Sequence, residues 1–134
     1  MSRGLKNNNP GNIRLSKVTY KGEITSTDNS FKQFLNLEWG YRAMFVLIDS
    51  YLRRDYKTIT QIIARYAPPC ENHTDNYIDF VAKQAKIDKN QKLNINSKEE
   101  MLALVSAMSY MENGVPAQKD AVESGWQLFQ QFRP

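Results

Sequence analysis

Two glutamates toward the C-terminal end of the chain stand where a carboxyl group can act as an acid. Glu112, in Tyr110-Met111-Glu112-Asn113-Gly114, continues the line of Met101, Leu104, Val105 and Met108 along a helical repeat. A carboxyl in line with an apolar stripe, at a helix C-terminus, loses hydration and meets the negative end of the helix dipole. Both disfavour ionisation and raise its pKa. A carboxyl that keeps its proton near neutral pH is what general acid catalysis requires. The plainer alternative is that Glu112 lies beyond the core and is solvated. Glu123, between Val122 and Trp126, reads as an outward-facing surface carboxylate and ranks second as the acid. Asp28 and Glu23 are the candidates for a second carboxylate, and neither has decisive spacing.

The head of the chain carries amides instead. Asn7, Asn8, Asn9 and Asn12 crowd around Pro10-Gly11, and together they offer donors and acceptors suited to sugar hydroxyls and acetamides. The competing reading is that they satisfy their own turn backbone. Between head and tail, Tyr66-Ala67-Pro68-Pro69-Cys70-Glu71-Asn72-His73-Thr74-Asp75 forms a proline loop running into an acidic helix start. Acidic residues there complement the helix dipole. Cys70 is the single cysteine and His73 the single histidine. Neighbours in sequence rarely make a nucleophile pair, so Cys-His catalysis is not expected, nor is a metal site from Cys70, His73 and Asp75. No glycine-rich run precedes a Lys-Ser or Lys-Thr pair, which sets nucleotide hydrolysis aside. The expectation is no metal and no cofactor.

Elements that position these groups follow from periodicity, which is not helical before about Asn36. Val18–Tyr20 and Glu23–Thr27 read as two short strands around Lys21-Gly22, a hairpin. Asn36 caps a helix with Leu37, Tyr41, Met44, Ile48 and Tyr51 inward. Thr58 caps a short helix with Ile59, Ile62, Ile63 and Tyr66 inward, stopped before Pro68-Pro69. A third helix runs from Asn72–Thr74 to about Lys86, burying Tyr77, Ile78, Val81 and Ala85. Ser97-Lys98-Glu99-Glu100 is a capping box for a fourth, closed by Asn113-Gly114. Pro116 opens a fifth, with Val122, Trp126, Phe129 and Phe132. The fold class is mainly α (α+β): a helical domain with a small β-hairpin near the N-terminus, as one domain over 1–134.

The composition narrows the partners. The 134 residues are 41% hydrophobic and 24% charged, a globular balance that supports a core. No apolar run approaches the roughly 20 residues of a bilayer crossing, and no secretory signal follows the basic start. The excess of 18 basic over 14 acidic residues, +4, suits a polyanion. It lacks the clustered basic helix or aromatic pattern of a nucleic-acid binder.

Several segments are familiar as a set. Arg3-Gly4-Leu5-Lys6-Asn7-Asn8-Asn9-Pro10-Gly11-Asn12-Ile13-Arg14 resembles the opening of small phage and prophage proteins related to the phi6-type lysin. Phe31-Lys32-Gln33-Phe34, Trp39-Gly40-Tyr41-Arg42-Ala43-Met44, Tyr66-Ala67-Pro68-Pro69 and Met111-Glu112-Asn113-Gly114 extend the resemblance over nearly the whole chain. More distantly, Gly40–Leu52 with Ile59–Tyr66 is similar to the middle helices of lytic transglycosylases. His73 to Val81 looks like the helix that closes their groove. The resemblance implies a lysozyme-like fold and cleavage of the peptidoglycan glycan strand, of lytic transglycosylase or muramidase type. The relatives carry their glutamate upstream of these segments, so the expectation here is a circular permutation in which helix 97–112 supplies Glu112. Glu123, in Glu-Ser-Gly-Trp, is similar to the glucosaminidase catalytic tetrapeptide. On this reading Asn8, Asn9, Asn12, Tyr66, Thr74 and Tyr77 bind substrate, with Asn9 and Asn12 orienting N-acetyl groups. Alternatives are a peptidoglycan endopeptidase on the same fold and a non-catalytic virion or wall-binding protein. The expected partner is peptidoglycan, with no nucleic acid and no stable membrane association, for a monomer. It would be made in the cytoplasm without a signal peptide, reaching the wall after holin-type release or within a virion.

Overall fold

The computed structural model describes residues 1–68 and 73–134; the readings placed on Cys70, Glu71 and Asn72 lie outside the described residues. The protein is mainly helical with a small two-stranded antiparallel sheet. The helices are α1 (Arg3–Lys6), α2 (Leu37–Arg53), α3 (Ile59–Tyr66), α4 (Thr74–Ala85), α5 (Lys98–Asn113) and α6 (Lys119–Gln131). Side-chain caps set the starts of α2, α3 and α5, because the first N–H groups of a helix have no partner within it. Asn36 accepts from the Trp39 N–H at 3.0 Å, Thr58 from Gln61 at 3.1 Å and Ser97 from Glu100 at 3.3 Å. Glu100 does not complete the capping box. Its carboxylate turns to the Asn94 N–H at 2.9 Å and so fastens the preceding loop to α5.

One apolar core joins these helices. α2 packs along α6, α4 along α5 and α3 along α4. Phe45 of α2 meets Trp126 of α6 edge-to-face at 5.1 Å, and Phe129 lies 5.6 Å from Trp126. Each such ring pair adds roughly 0.5–1.5 kcal/mol beyond the area buried. Helix α6 comes close to α2 at Gly125, where a Cβ would stand 2.6 Å from the Tyr41 Cβ, so only glycine fits. Among the described residues no helix is long and apolar enough to cross a membrane.

Three readings of the N-terminal and C-terminal segments are corrected. The hairpin around Lys21-Gly22 does not form. Strand β1 (Glu23–Ile24) pairs instead with β2 (Gln33–Phe34), Glu23 opposite Phe34, while Val18 and Thr19 are exposed and unpaired in any sheet. The reason is Lys32, whose buried Nζ donates to the Val18 carbonyl at 2.7 Å and pairs with Glu23 at 3.0 Å. A buried ammonium needs such partners, and it holds this segment by the carbonyls of Ser16 and Val18 where a strand would have used a ladder. The head, read as free of helix, contains the one-turn α1, started by Ser2 Oγ accepting from the Leu5 N–H at 3.2 Å. Pro116 does not open the last helix. It lies in the connection with Val115 and Ala117 beside Leu5 and Leu37, and α6 begins at Lys119.

Candidate active site

The head loop folds back on the end of α5. Left-handed backbone at Asn8 (φ 51°) and Asn12 (φ 50°) turns the chain tightly around Pro10-Gly11, a conformation asparagine tolerates better than most residues. Asn9 holds the loop from inside. Its side chain is fully buried, donating to the carbonyls of Ile13 (3.0 Å) and Lys32 (2.9 Å) and accepting from the Ile13 N–H (2.9 Å). The Asn8 amide donates to the Phe34 carbonyl at 3.2 Å. Asn9 is therefore a loop-builder with nothing left to offer a ligand, and its expected role in orienting N-acetyl groups is corrected.

Two consecutive residues of α5 receive this loop. Asn113 donates to the Pro10 carbonyl at 2.8 Å and accepts from Ser2 Oγ at 2.7 Å. Glu112 Oε1 accepts from the Asn12 amide at 2.8 Å across 100 residues of chain. The approach is tight: a Cβ at Gly4 would stand 2.7 Å from both Asn12 Oδ1 and Asn113 Oδ1. Tyr77 of α4 donates to the other carboxyl oxygen, Oε2, at 2.8 Å. Tyr66 of α3 donates to the Gly11 carbonyl, propping the loop from the other side.

These contacts border a cleft of about 290 Å³ whose lining includes the polar groups of Glu112, Asn12, Arg14 and Tyr66 and, from α2, Leu47 and Tyr51. Burial pushes the Glu112 pKa above its ordinary value. The hydrogen bonds from Asn12 and Tyr77, and the charge of Arg14, pull the other way and do not cancel it. Burial, then the Glu112 charge, pushes Tyr77 and Tyr66 well above the usual phenol value, so both remain donors. The arrangement is a carboxyl biased toward its protonated form, held by two donors at the wall of an open cleft. Such a group can give a proton to a bound leaving oxygen and take one back.

The remaining expected site residues are elsewhere. Glu123 pairs with Lys98, between α6 and the start of α5, and does not line the cleft. Asp28 is bound by Arg3 at 2.7 Å, by Asn7 at 3.2 Å and by the backbone N–H groups of Ser30 and Phe31, which hold it well below the usual carboxylate range. Glu23 is engaged by Lys32 and by the Tyr20 N–H at 3.0 Å. Neither lines the cleft as a second carboxylate. Thr74 Oγ1 donates to the Ala67 carbonyl at 2.6 Å, a helix-start contact that corrects its placement among the substrate binders. Among the described residues no group of His, Cys, Asp and Glu gathers as metal ligands. Sequence pattern does not single out as site residues Leu47 and Tyr51, which line the cleft, or Asn113, which fastens the head loop beside it. The signal for Asn113 is its position next to Glu112 in the last turn of α5.

No protein-family profile matches the chain. Over 132 residues it is 39% identical to Protein P5 of Pseudoalteromonas phage PM2, an alignment that covers 94% of this chain and 81% of the phage protein.

Proposed function

The chain belongs to the family of that phage protein, and from this premise we propose that it degrades peptidoglycan by cleaving the glycan strand, with Glu112 as general acid and base. One observation carries the reading. A carboxyl whose burial favours its proton lies in a cleft against an amide brought from the opposite end of the chain. The lysozyme-like arrangement, permuted so that the acid ends α5, belongs to the same proposal.

Glycan cleavage needs a proton at the leaving oxygen and relief of the oxocarbenium-like charge that develops at the sugar carbon. Glu112 donates its proton to the bridging oxygen as the bond from C1 breaks. The resulting carboxylate is stabilised by the Asn12 and Tyr77 donors already in place. It then takes the proton of the same sugar's 6-hydroxyl, whose oxygen bonds to C1 and leaves a 1,6-anhydro end. Glu112 is the one carboxylate among the described residues lining the cleft, which favours this single-acid route over the two-carboxylate scheme. Peptidoglycan is the partner in this account, reached after holin-type release or from within a virion, with no nucleic acid and no stable membrane association.

Mass spectrometry of fragments released from purified peptidoglycan tests the proposal. The expected products carry 1,6-anhydro sugar ends, and Glu112→Gln lowers their release by about 10²–10⁴-fold. New peptide amines would mark an endopeptidase instead. Walls that sediment with the protein and release nothing soluble would mark a binding module.

A further inference from the structure

We propose that the cleft continues past Leu47 into an anion subsite built by Arg54 and Arg65 on the rings of Tyr51 and Tyr56, and that this subsite takes the carboxylates carried by the substrate strand. The identity of that strand rests on the reading given under Proposed function; the subsite itself rests on geometry. Leu47, Tyr51 and Arg54 follow one another along a single face of α2 and its C-terminal cap, at the three- and four-residue steps that place side chains in line. Leu47 and Tyr51 line the Glu112 cleft. Leu47 also lines the neighbouring groove, of about 580 Å³, whose wall includes Arg54. The two hollows therefore meet over one side chain.

Around Arg54, cations and rings alternate. The Arg54 guanidinium lies 5.3 Å from the Tyr51 ring centre and 5.9 Å from that of Tyr56, and Arg65 of α3 lies 5.6 Å from Tyr56. The two rings meet edge-to-face at 6.2 Å. Both guanidinium charges act on the Tyr51 phenol, opposing the effect of its burial. The neighbouring arginine is differently placed, since Arg53 is paired with Asp49 at 3.0 Å. Among the described residues Arg54 and Arg65 form no salt bridge with a carboxylate; Arg54 Nε reaches only the Ser50 carbonyl, at 3.4 Å. Two like charges held around one tyrosine repel each other. A carboxylate between them removes that repulsion and accepts their forked donors. Peptidoglycan supplies such groups at regular intervals, on the lactyl-linked peptides of alternate sugars, whereas chitin has none.

Sedimentation with insoluble walls tests this independently of cleavage. The probes are intact peptidoglycan, the same walls with carboxylates converted to amides, and chitin, a neutral acetamido-sugar polymer. Wild-type protein should bind intact walls at least tenfold more tightly than amidated ones. Arg54→Gln/Arg65→Gln should bind both at the amidated level, with chitin binding unchanged. Arg54→Lys/Arg65→Lys, which keeps the charge, should retain part of the preference and covers the case in which the glutamine pair fails to fold. Equal binding of intact and amidated walls by wild type, or a folded glutamine variant that keeps the preference, overturns the subsite. The outcomes separate the two proposals. A wild type that prefers carboxylated walls yet releases no fragment upholds the subsite and removes the enzyme. A wild type that releases anhydro fragments without that preference does the reverse.

Discussion

Glu112 and Glu123 are the same residue type, eleven positions apart on adjacent helices, and their surroundings give them opposite uses. Glu123 stands part-exposed on α6 and is paired with the Lys98 ammonium. An exposed pair of this kind contributes at most about 1 kcal/mol. Glu112 sits at the end of α5 with no ammonium or guanidinium within salt-bridge distance among the described residues. It is contacted instead by two neutral donors, an amide from the head loop and a phenol from α4. The neutral donors favour the Glu112 carboxylate without supplying a full opposite charge, and burial still raises its pKa. The difference teaches where to look for an acid among the described carboxylates: at one that folding dehydrates and holds by neutral donors, with a cation, Arg14, nearby but not bound to it in an ion pair.

The sharpest break in this comparison is substitution of each glutamate in turn. Glu112→Gln should reduce peptidoglycan clearing by about 10²–10⁴-fold, equivalent to about 3–5 kcal/mol on the barrier. It should not destabilise the fold at neutral pH. Because burial raises the Glu112 pKa, the protonated form favours the native state. Its contribution is present below the ordinary value of 4.5 and is lost as pH rises through the folded value. Thermal unfolding of Glu112→Gln should match wild type at low pH and exceed it at neutral pH.

A second break removes the frame around the acid. Asn9→Ala leaves the Lys32 carbonyl and the Ile13 N–H inside the loop without partners, while the Ile13 carbonyl keeps the Lys32 N–H at 2.9 Å, and should cost roughly 2–4 kcal/mol in a denaturant titration. Tyr77→Phe keeps the ring and deletes one donor to the carboxylate. It should slow clearing by about tenfold, in line with the loss of a hydrogen bond to a charged group. It should also move the alkaline limb of the pH–rate profile upward, since that donor favours the ionised form. The smallest effect is expected at Glu123→Gln, which should leave clearing unchanged and stability within about 0.5 kcal/mol. A loss of clearing there with Glu112→Gln active would invert the assignment.

Much of the helical frame was legible because its signals are local. Asn36, Thr58 and Ser97 mark their helix starts with their own side chains, and Gly114 ends α5 in the left-handed conformation that glycine accepts. The same holds for Glu112, whose place follows from counting along one apolar stripe. What escaped depends on partners distant in sequence. Nothing near Asn9 says that its amide closes on Lys32, and nothing near Lys32 says that its ammonium reaches back to Val18 in place of a strand. Tyr51 reads as core by its period and is core, yet its ring is also cleft wall. Periodicity reports burial and is silent on which buried surface borders a hollow.

The central claim is that folding raises the pKa of the Glu112 carboxyl in the cleft, and a carboxyl-detected NMR titration of selectively labelled protein tests it most directly. The account predicts a Glu112 midpoint above the ordinary glutamate value of 4.5, rising further in Tyr77→Phe. A midpoint at or below that value, unmoved by Tyr77→Phe, would contradict it.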